Sequence, residues 1–161
     1  MLSICFLLFH SWKDQIPPDV RKHMAEPFLK WAGGKRQLLD EITTRLPANI
    51  SECDTYVEPF LGGGSVMFHM LSRFDFENVY VSDINPELVL CYKSIQEDAT
   101  EVSHALEELA SGYPVDKEGQ KKFYYSVRDS WNEGVGSLSK LGYASRASRS
   151  AMTIFLNKTC F

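Results

Sequence analysis

Apolar residues recur at two spacings along the chain, and the changes between them mark its elements. Thr55–Val57 and Asn78–Ser82 are short β-prone runs. Between them Val66, Met67, Phe68, Met70 and Leu71 fall at helical rather than alternating spacing, which predicts strand, helix, strand. Upstream, Leu38, Leu39, Ile42 and Leu46 predict an amphipathic helix that Pro47 ends. Downstream, Asn85 reads as an N-cap with Pro86 at the first helical position and Glu87 where the dipole favours an acid. Leu88, Val89, Tyr92 and Ile95 supply that helix with its buried stripe. Thr100 is expected to cap a further helix through Val102, Ala105, Leu106 and Leu109, stopping at Gly112 and Pro114. Phe123, Tyr124, Val127 and Trp131 give residues 117–133 an aromatic face expected to lie in the core. A connection rich in glycine and serine (Gly134, Gly136, Ser137, Ser139, Gly142) leads to a last segment. There Ala147, Ala151, Ile154 and Phe155 are expected to be buried, and Arg146, Arg149 and Lys158 to face solvent or phosphate.

This order of elements predicts an α/β fold with a mostly parallel sheet, its ligand lying beyond the carboxyl ends of the strands. The chemistry concentrates at one turn. Glu58, Pro59, Phe60 and Leu61 lead from the first strand into Gly62, Gly63, Gly64 and Ser65, where backbone can approach a ligand that any Cβ would touch. Asp83 follows the second strand nineteen residues after Gly64, the distance at which nucleoside-binding α/β units place an acid for the ribose hydroxyls. Together they point to an adenosine-containing ligand. Gly33 and Gly34 at a helix entrance can set N–H groups around an anion, with Lys35 adding charge. A P-loop is excluded, because Arg36 stands where that motif needs a hydroxyl. Trp31 is either a core aromatic or a wall for an adenine or a sulfonium cation.

Length and charge change the picture little. With 161 residues the chain is one domain, or one and a fraction. The net charge of −4 hides an asymmetry: residues 75–116 carry ten acids and one base, residues 117–161 eight bases and three acids. A basic last third suits a phosphate-facing part. Cys5, Cys53, Cys91 and Cys160 are scattered, so neither a metal site nor a disulfide framework is expected, and a cytoplasmic setting is. Residues 2–9 (LSICFLLF) are too few to span a bilayer and lack a basic start and a cleavage site, so no membrane partner is expected. Residues 1–23 read as an extension outside the fold, residues 24–99 as the α/β core, and residues 100–161 as the start of a helical domain.

FLKWAGGK, YVEPFLGGGSV and VSDINPEL, in this order and at these spacings, resemble the amino-terminal half of Dam-type adenine-specific DNA methyltransferases. The resemblance covers about Phe28 to Phe161, with FYYSVRDSWN and the A-x-x-I-F-L-N-K-T-x-F ending similar to the family's target-recognition region. It implies a Rossmann-like fold binding S-adenosylmethionine (AdoMet) as methyl donor, without metal, and double-stranded DNA as partner. By it, Trp31 and Lys35 contact AdoMet, and Ala32 and Gly33 line the pocket. Glu58, Pro59, Phe60, Gly62, Gly63, Gly64 and Ser65 shape the turn around the donor, Asp83 holds the ribose, and Lys30 reaches the DNA.

The family pattern continues into a D-P-P-Y motif that these 161 residues lack; the one Pro-Pro pair is Pro17-Pro18, followed by Asp19. That motif accepts the hydrogens of the target amine and stacks on a flipped base, whose extrusion costs a few kcal/mol. The expectation is therefore an amino-terminal portion with little or no transfer activity alone and no catalytic residue of its own, the missing half being lost to truncation or frameshift or supplied as a partner chain. A different class of reading is a non-catalytic AdoMet- or DNA-binding module. An NAD-linked oxidoreductase is disfavoured, since the turn is E-P-F-L-G-G-G-S rather than G-x-G-x-x-G.

Overall fold

The computed structural model describes residues 5–10, 26–31, 33–133, 138 and 141–160, with backbone alone for 5–10 and Tyr143. It divides into two compact units, Met1–Ile84 and Asn85–Phe161.

The first unit is built on a three-stranded sheet in which β3 (Asn78–Asp83) lies between β1 (Cys5–His10) and β2 (Thr55–Glu58). β2 and β3 run parallel, Thr55 opposite Asn78 and Glu58 opposite Val81. β1 runs antiparallel to β3, Cys5 opposite Asp83 and His10 opposite Asn78. Cys5–His10 thus pairs within the sheet, although residues 1–23 read as lying outside the fold; the remainder of that stretch lies outside the described residues. An apolar β-prone run beside an open strand edge gives a physical reason for the pairing.

α2 (Ser65–Leu71) links the two parallel strands. Met67 and Met70, three residues apart, are its buried face, and Leu29, Leu61, Phe76, Val79 and Val81 complete the buried apolar core of the unit among the described residues. Each such side chain taken out of water stabilises by about 1.5–3 kcal/mol. The helix expected around Leu38–Leu46 is a 3-10 turn (Lys35–Leu38) running into α1 (Leu39–Thr44). Leu38, expected on the apolar face, is exposed. Three residues per turn instead of 3.6 shift the phase of the side chains, and Leu38 rotates off the stripe.

The second unit is helical: α3 (Pro86–Ser111), α4 (Lys117–Glu133) and α5 (Tyr143–Thr159). Asn85 caps α3 as expected, its Oδ1 accepting from Glu87 N at 3.0 Å and Leu88 N at 3.4 Å. The restart expected at Thr100 occurs two residues earlier. Asp98 leaves helical geometry (φ −159°, ψ 92°) and its Oδ1 takes the N–H groups of Thr100 and Glu101. Aspartate is the stronger cap, because a charged acceptor sits at the positive end of the new helix.

Val127, Ala147, Ala151, Ile154 and Phe155 are buried, and Tyr113, Phe123 and Phe155 meet edge-to-face at 5.3–5.9 Å. Arg149 departs from the expectation of solvent or phosphate. It is 3% exposed, donates from Nε and Nη2 to Glu87 and from Nη1 to the Trp131 carbonyl, and lies 4.7 Å from the Trp131 ring centroid. A guanidinium with a carboxylate, a carbonyl and a ring face around it is satisfied without water.

Candidate functional site

The chain leaves β2 at Glu58 and is pinned at once to the end of β3. Leu61 N–H donates to the Ser82 carbonyl at 2.9 Å, and Ser82 Oγ–H donates to the Pro59 carbonyl at 3.0 Å. Gly62 N–H donates to Asp83 Oδ2 at 2.8 Å, and Gly64 N–H closes the turn onto the Leu61 carbonyl at 3.0 Å. Gly62 (φ 56°) and Gly64 (φ 76°) are left-handed, which explains glycine at both. Gly64 then stands as N-cap of α2, with Ser65 its first residue.

Gly63 is required for a different reason. A Cβ there would lie 3.0 Å from the Leu29 carbonyl and 3.4 Å from Trp31 Cβ; a Cβ on Gly62 would lie 3.4 Å from Trp31 Cδ1. The half-buried Trp31 therefore lies against the glycine turn, carried there by the buried Leu29. Behind it the chain turns back, Gly34 N–H donating to the Trp31 carbonyl at 3.0 Å and Gly33 taking φ 73°. Ala32 lies outside the described residues, and Lys30 is exposed.

Lys35 ties the second loop to the first. Its Nζ donates to Glu58 Oε1 at 2.5 Å and to the Phe60 carbonyl at 2.6 Å. Glu58 is 5% exposed, and its other oxygen accepts the Tyr56 hydroxyl at 2.8 Å. Burial, then the Glu58 charge and the hydrogen bond to it, hold the Tyr56 hydroxyl far above the usual phenol range. Phe60, by contrast, is 74% exposed.

Of the residues singled out from sequence, Trp31, Lys35, Glu58, Pro59, Phe60, Gly62, Gly63 and Asp83 are thus joined by direct contacts or hydrogen bonds. Tyr56 was missed. Strand alternation carries the signal, because residues i and i+2 share a face and Tyr56 stands two before Glu58. What this cluster can do chemically is bounded: it offers two buried carboxylates, an ammonium, aromatic surface at Trp31 and Phe60, and close-approach backbone.

A family model described as D12 class N6 adenine-specific DNA methyltransferase matches residues 31–161. The chain is 42% identical over 139 residues to a Type II methyltransferase, M.MjaIII, of Methanocaldococcus jannaschii, covering 84% of this chain and 46% of that protein. It is 35% identical over 136 residues to the Type II methyltransferase M.CviBI of Paramecium bursaria Chlorella virus NC1A, covering 84% of this chain and 44% of the relative. A DNA adenine methylase of Vibrio cholerae is 35% identical over 106 residues, 66% of this chain and 34% of that one. The chain spans less than half the length of these relatives. No solved structure matches it significantly. A match over residues 31–161, well more than half of the sequence, decides the family: the chain belongs to the D12 class N6 adenine-specific DNA methyltransferases.

Proposed function

We propose that this chain carries the AdoMet-binding part of an adenine-specific DNA methyltransferase, on an incomplete Rossmann-like sheet. In this reading residues 24–99 are the donor-binding core and residues 100–161 begin the helical target-recognition domain. The reaction is transfer of a methyl group from AdoMet to the exocyclic amine of adenine in duplex DNA, in the cytoplasm. The observation that carries it is the Asp83–Gly62 bond, which fixes an acid at the tip of β3 beside a left-handed glycine turn.

The residues present fit the donor. Asp83 takes the ribose hydroxyls. Lys35 spends two of the three N–H bonds of its ammonium on Glu58 and Phe60, leaving a third for the donor's carboxylate. Trp31 and Phe60 supply aromatic surface for the purine and the sulfonium, and Gly33, Gly62, Gly63 and Gly64 keep side chains away. When bound, AdoMet supplies a methyl group made electrophilic by its sulfonium. Lys30, exposed beside Trp31, faces the DNA.

The 161 residues hold no D-P-P-Y motif, so this reading gives them donor binding without transfer, and residues bearing that motif would complete the site. Calorimetric titration with AdoMet tests the first half, with a dissociation constant in the micromolar range expected, equivalent to about −8 kcal/mol. Methyl transfer from labelled AdoMet into adenine-containing duplexes tests the second. Absence of heat with AdoMet defeats the donor-binding reading; turnover by these 161 residues defeats the need for that motif.

A further inference from the structure

Glu58 is bound by this chain's own groups on both oxygens, and that arrangement has a source the site residues above do not include. The Tyr56 hydroxyl holds Oε2 at 2.8 Å, which turns Oε1 toward Lys35, 2.5 Å away. The same ammonium reaches the Phe60 carbonyl at 2.6 Å, so it spans the Pro59 corner from the strand end to the turn. Tyr56 is itself fixed, its ring 5.4 Å from that of the fully buried Phe76. We propose that Tyr56 is a positioning residue of the donor site: its hydroxyl orients the Glu58 carboxylate, and through it Lys35 and the Glu58–Gly64 turn.

The physical case rests on what a carboxylate does with one partner missing. A buried carboxylate with one strong donor rotates to share that donor between both oxygens, while a second donor fixes the plane. With the plane free, Lys35 follows Glu58, and its bond to the Phe60 carbonyl lengthens. The turn then keeps its bonds to Asp83 and Ser82 but loses its tie to the strand end through Lys35. Tyr56 cannot exchange its role for that of an acceptor, because a carboxylate oxygen has no hydrogen to give. Its hydroxyl is an obligate donor.

The inference rests on the AdoMet-binding reading for its ligand but has a test of its own. Tyr56→Phe removes one oxygen and keeps the ring on Phe76. Amide hydrogen exchange of the ligand-free protein is expected to speed up about tenfold in residues 60–64, the factor that follows from losing about 1.4 kcal/mol of local stability, and to stay unchanged in α4 and α5. In titration, AdoMet is expected to bind about tenfold more weakly to the variant, while adenosine, which lacks the amino-acid end that Lys35 would meet, changes less than about twofold. Unchanged exchange at residues 60–64 overturns the proposal, and so does equal weakening of AdoMet and adenosine. If neither protein binds AdoMet but exchange in the turn quickens, the positioning role stands and only the identity of the ligand falls. A Lys35→Met control, expected to reproduce both the faster exchange and the AdoMet-specific loss, rules out a merely structural phenol; lack of either effect counts against the proposal.

Discussion

The Asp83 carboxylate accepts the backbone N–H of Gly62 at 2.8 Å, across twenty-one residues of chain. In the donor-binding reading proposed above, the acid that receives the ribose hydroxyls is thereby also part of the scaffold that shapes the turn. Its two roles separate on substitution. Asp83→Ala leaves the Gly62 N–H without that acceptor and is expected to destabilise the first unit by about 1–3 kcal/mol. Asp83→Asn keeps an acceptor oxygen and is expected to cost less than half of that, while weakening AdoMet binding as much as the alanine does. Urea unfolding and calorimetry on both variants check the split.

Two glycines make opposite demands. An alanine at Gly33 meets nothing within 4 Å but must hold φ 73°, so backbone strain of about 1–2 kcal/mol is the whole expected penalty. At Gly63 the conflict is steric, since Leu29 backbone and Trp31 stand where the methyl would go. Gly63→Ala is expected to cost about 1–3 kcal/mol and to move Trp31. Thermal melts rank the stabilities, and the near-ultraviolet circular dichroism of the tryptophan band should change with Gly63→Ala alone.

In the helical unit the Arg149–Glu87 pair is expected to behave as a buried charge pair. Arg149→Met leaves Glu87 buried without its partner and should cost about 3–5 kcal/mol. Adding Glu87→Gln should recover a large part of that, because the uncompensated charge is gone. A double-mutant cycle by chemical denaturation measures the recovery, and strict additivity of the two losses would contradict it.

His69 is expected to make the first unit sensitive to acid. Arg73 can only donate, so the 3.0 Å contact to His69 Nδ1 makes that nitrogen an acceptor; Nε2–H then donates to Thr43 Oγ1 at 2.7 Å, whose own hydroxyl donates to the Leu39 carbonyl. This chain of donors needs a neutral ring. Burial and then the Arg73 charge lower the His69 pKa, opposed by Asp40. A folded value below the ordinary 6.5 means that the unfolded chain takes up the proton first. The stabilising contribution is therefore complete above about pH 6.5 and declines as pH falls towards and through the lowered value. Melting temperatures between pH 5 and 8 should fall on the acid side, and His69→Gln should flatten that slope.

Cysteine accessibility offers a separate check. Burial pushes the Cys91 thiol up to about 12, so it is a protonated core group rather than a nucleophile. Iodoacetamide should label Cys53 and Cys160, both exposed, at pH 8, and reach Cys91 only on unfolding. Mass spectrometry of a labelling time course distinguishes the three.

Much of this was legible from the order of residues, and the failures have physical causes. The strands at Thr55 and Asn78, the cap at Asn85 and the buried face of α5 follow from spacing and local chemistry, whereas of the α4 face expected in the core Val127 is buried and Phe123, Tyr124 and Trp131 are half-buried. The neighbourhood of the glycine turn and Asp83 was readable because strand, turn and strand are consecutive. Leu38 was misplaced because helical phase depends on whether the first turn is 3-10 or α, which composition does not fix. Arg149 was misread because a cation in an amphipathic stripe looks solvent-facing until a buried acid sixty-two residues earlier is known to meet it. Tyr56 escaped notice because it was counted as strand propensity, when its value lies in the hydroxyl at its tip.

The order of strands has a last consequence. β3 has a neighbour on each side, while β2 has one among the described residues, and the two differ accordingly: Val79 and Val81 are hidden, Val57 is 60% exposed. One rim of the sheet therefore coincides with the strand that delivers the glycine turn. A further strand laid along that rim would run within a few residues of Glu58, so a wider sheet and a second wall beside the glycine turn would come in a single event.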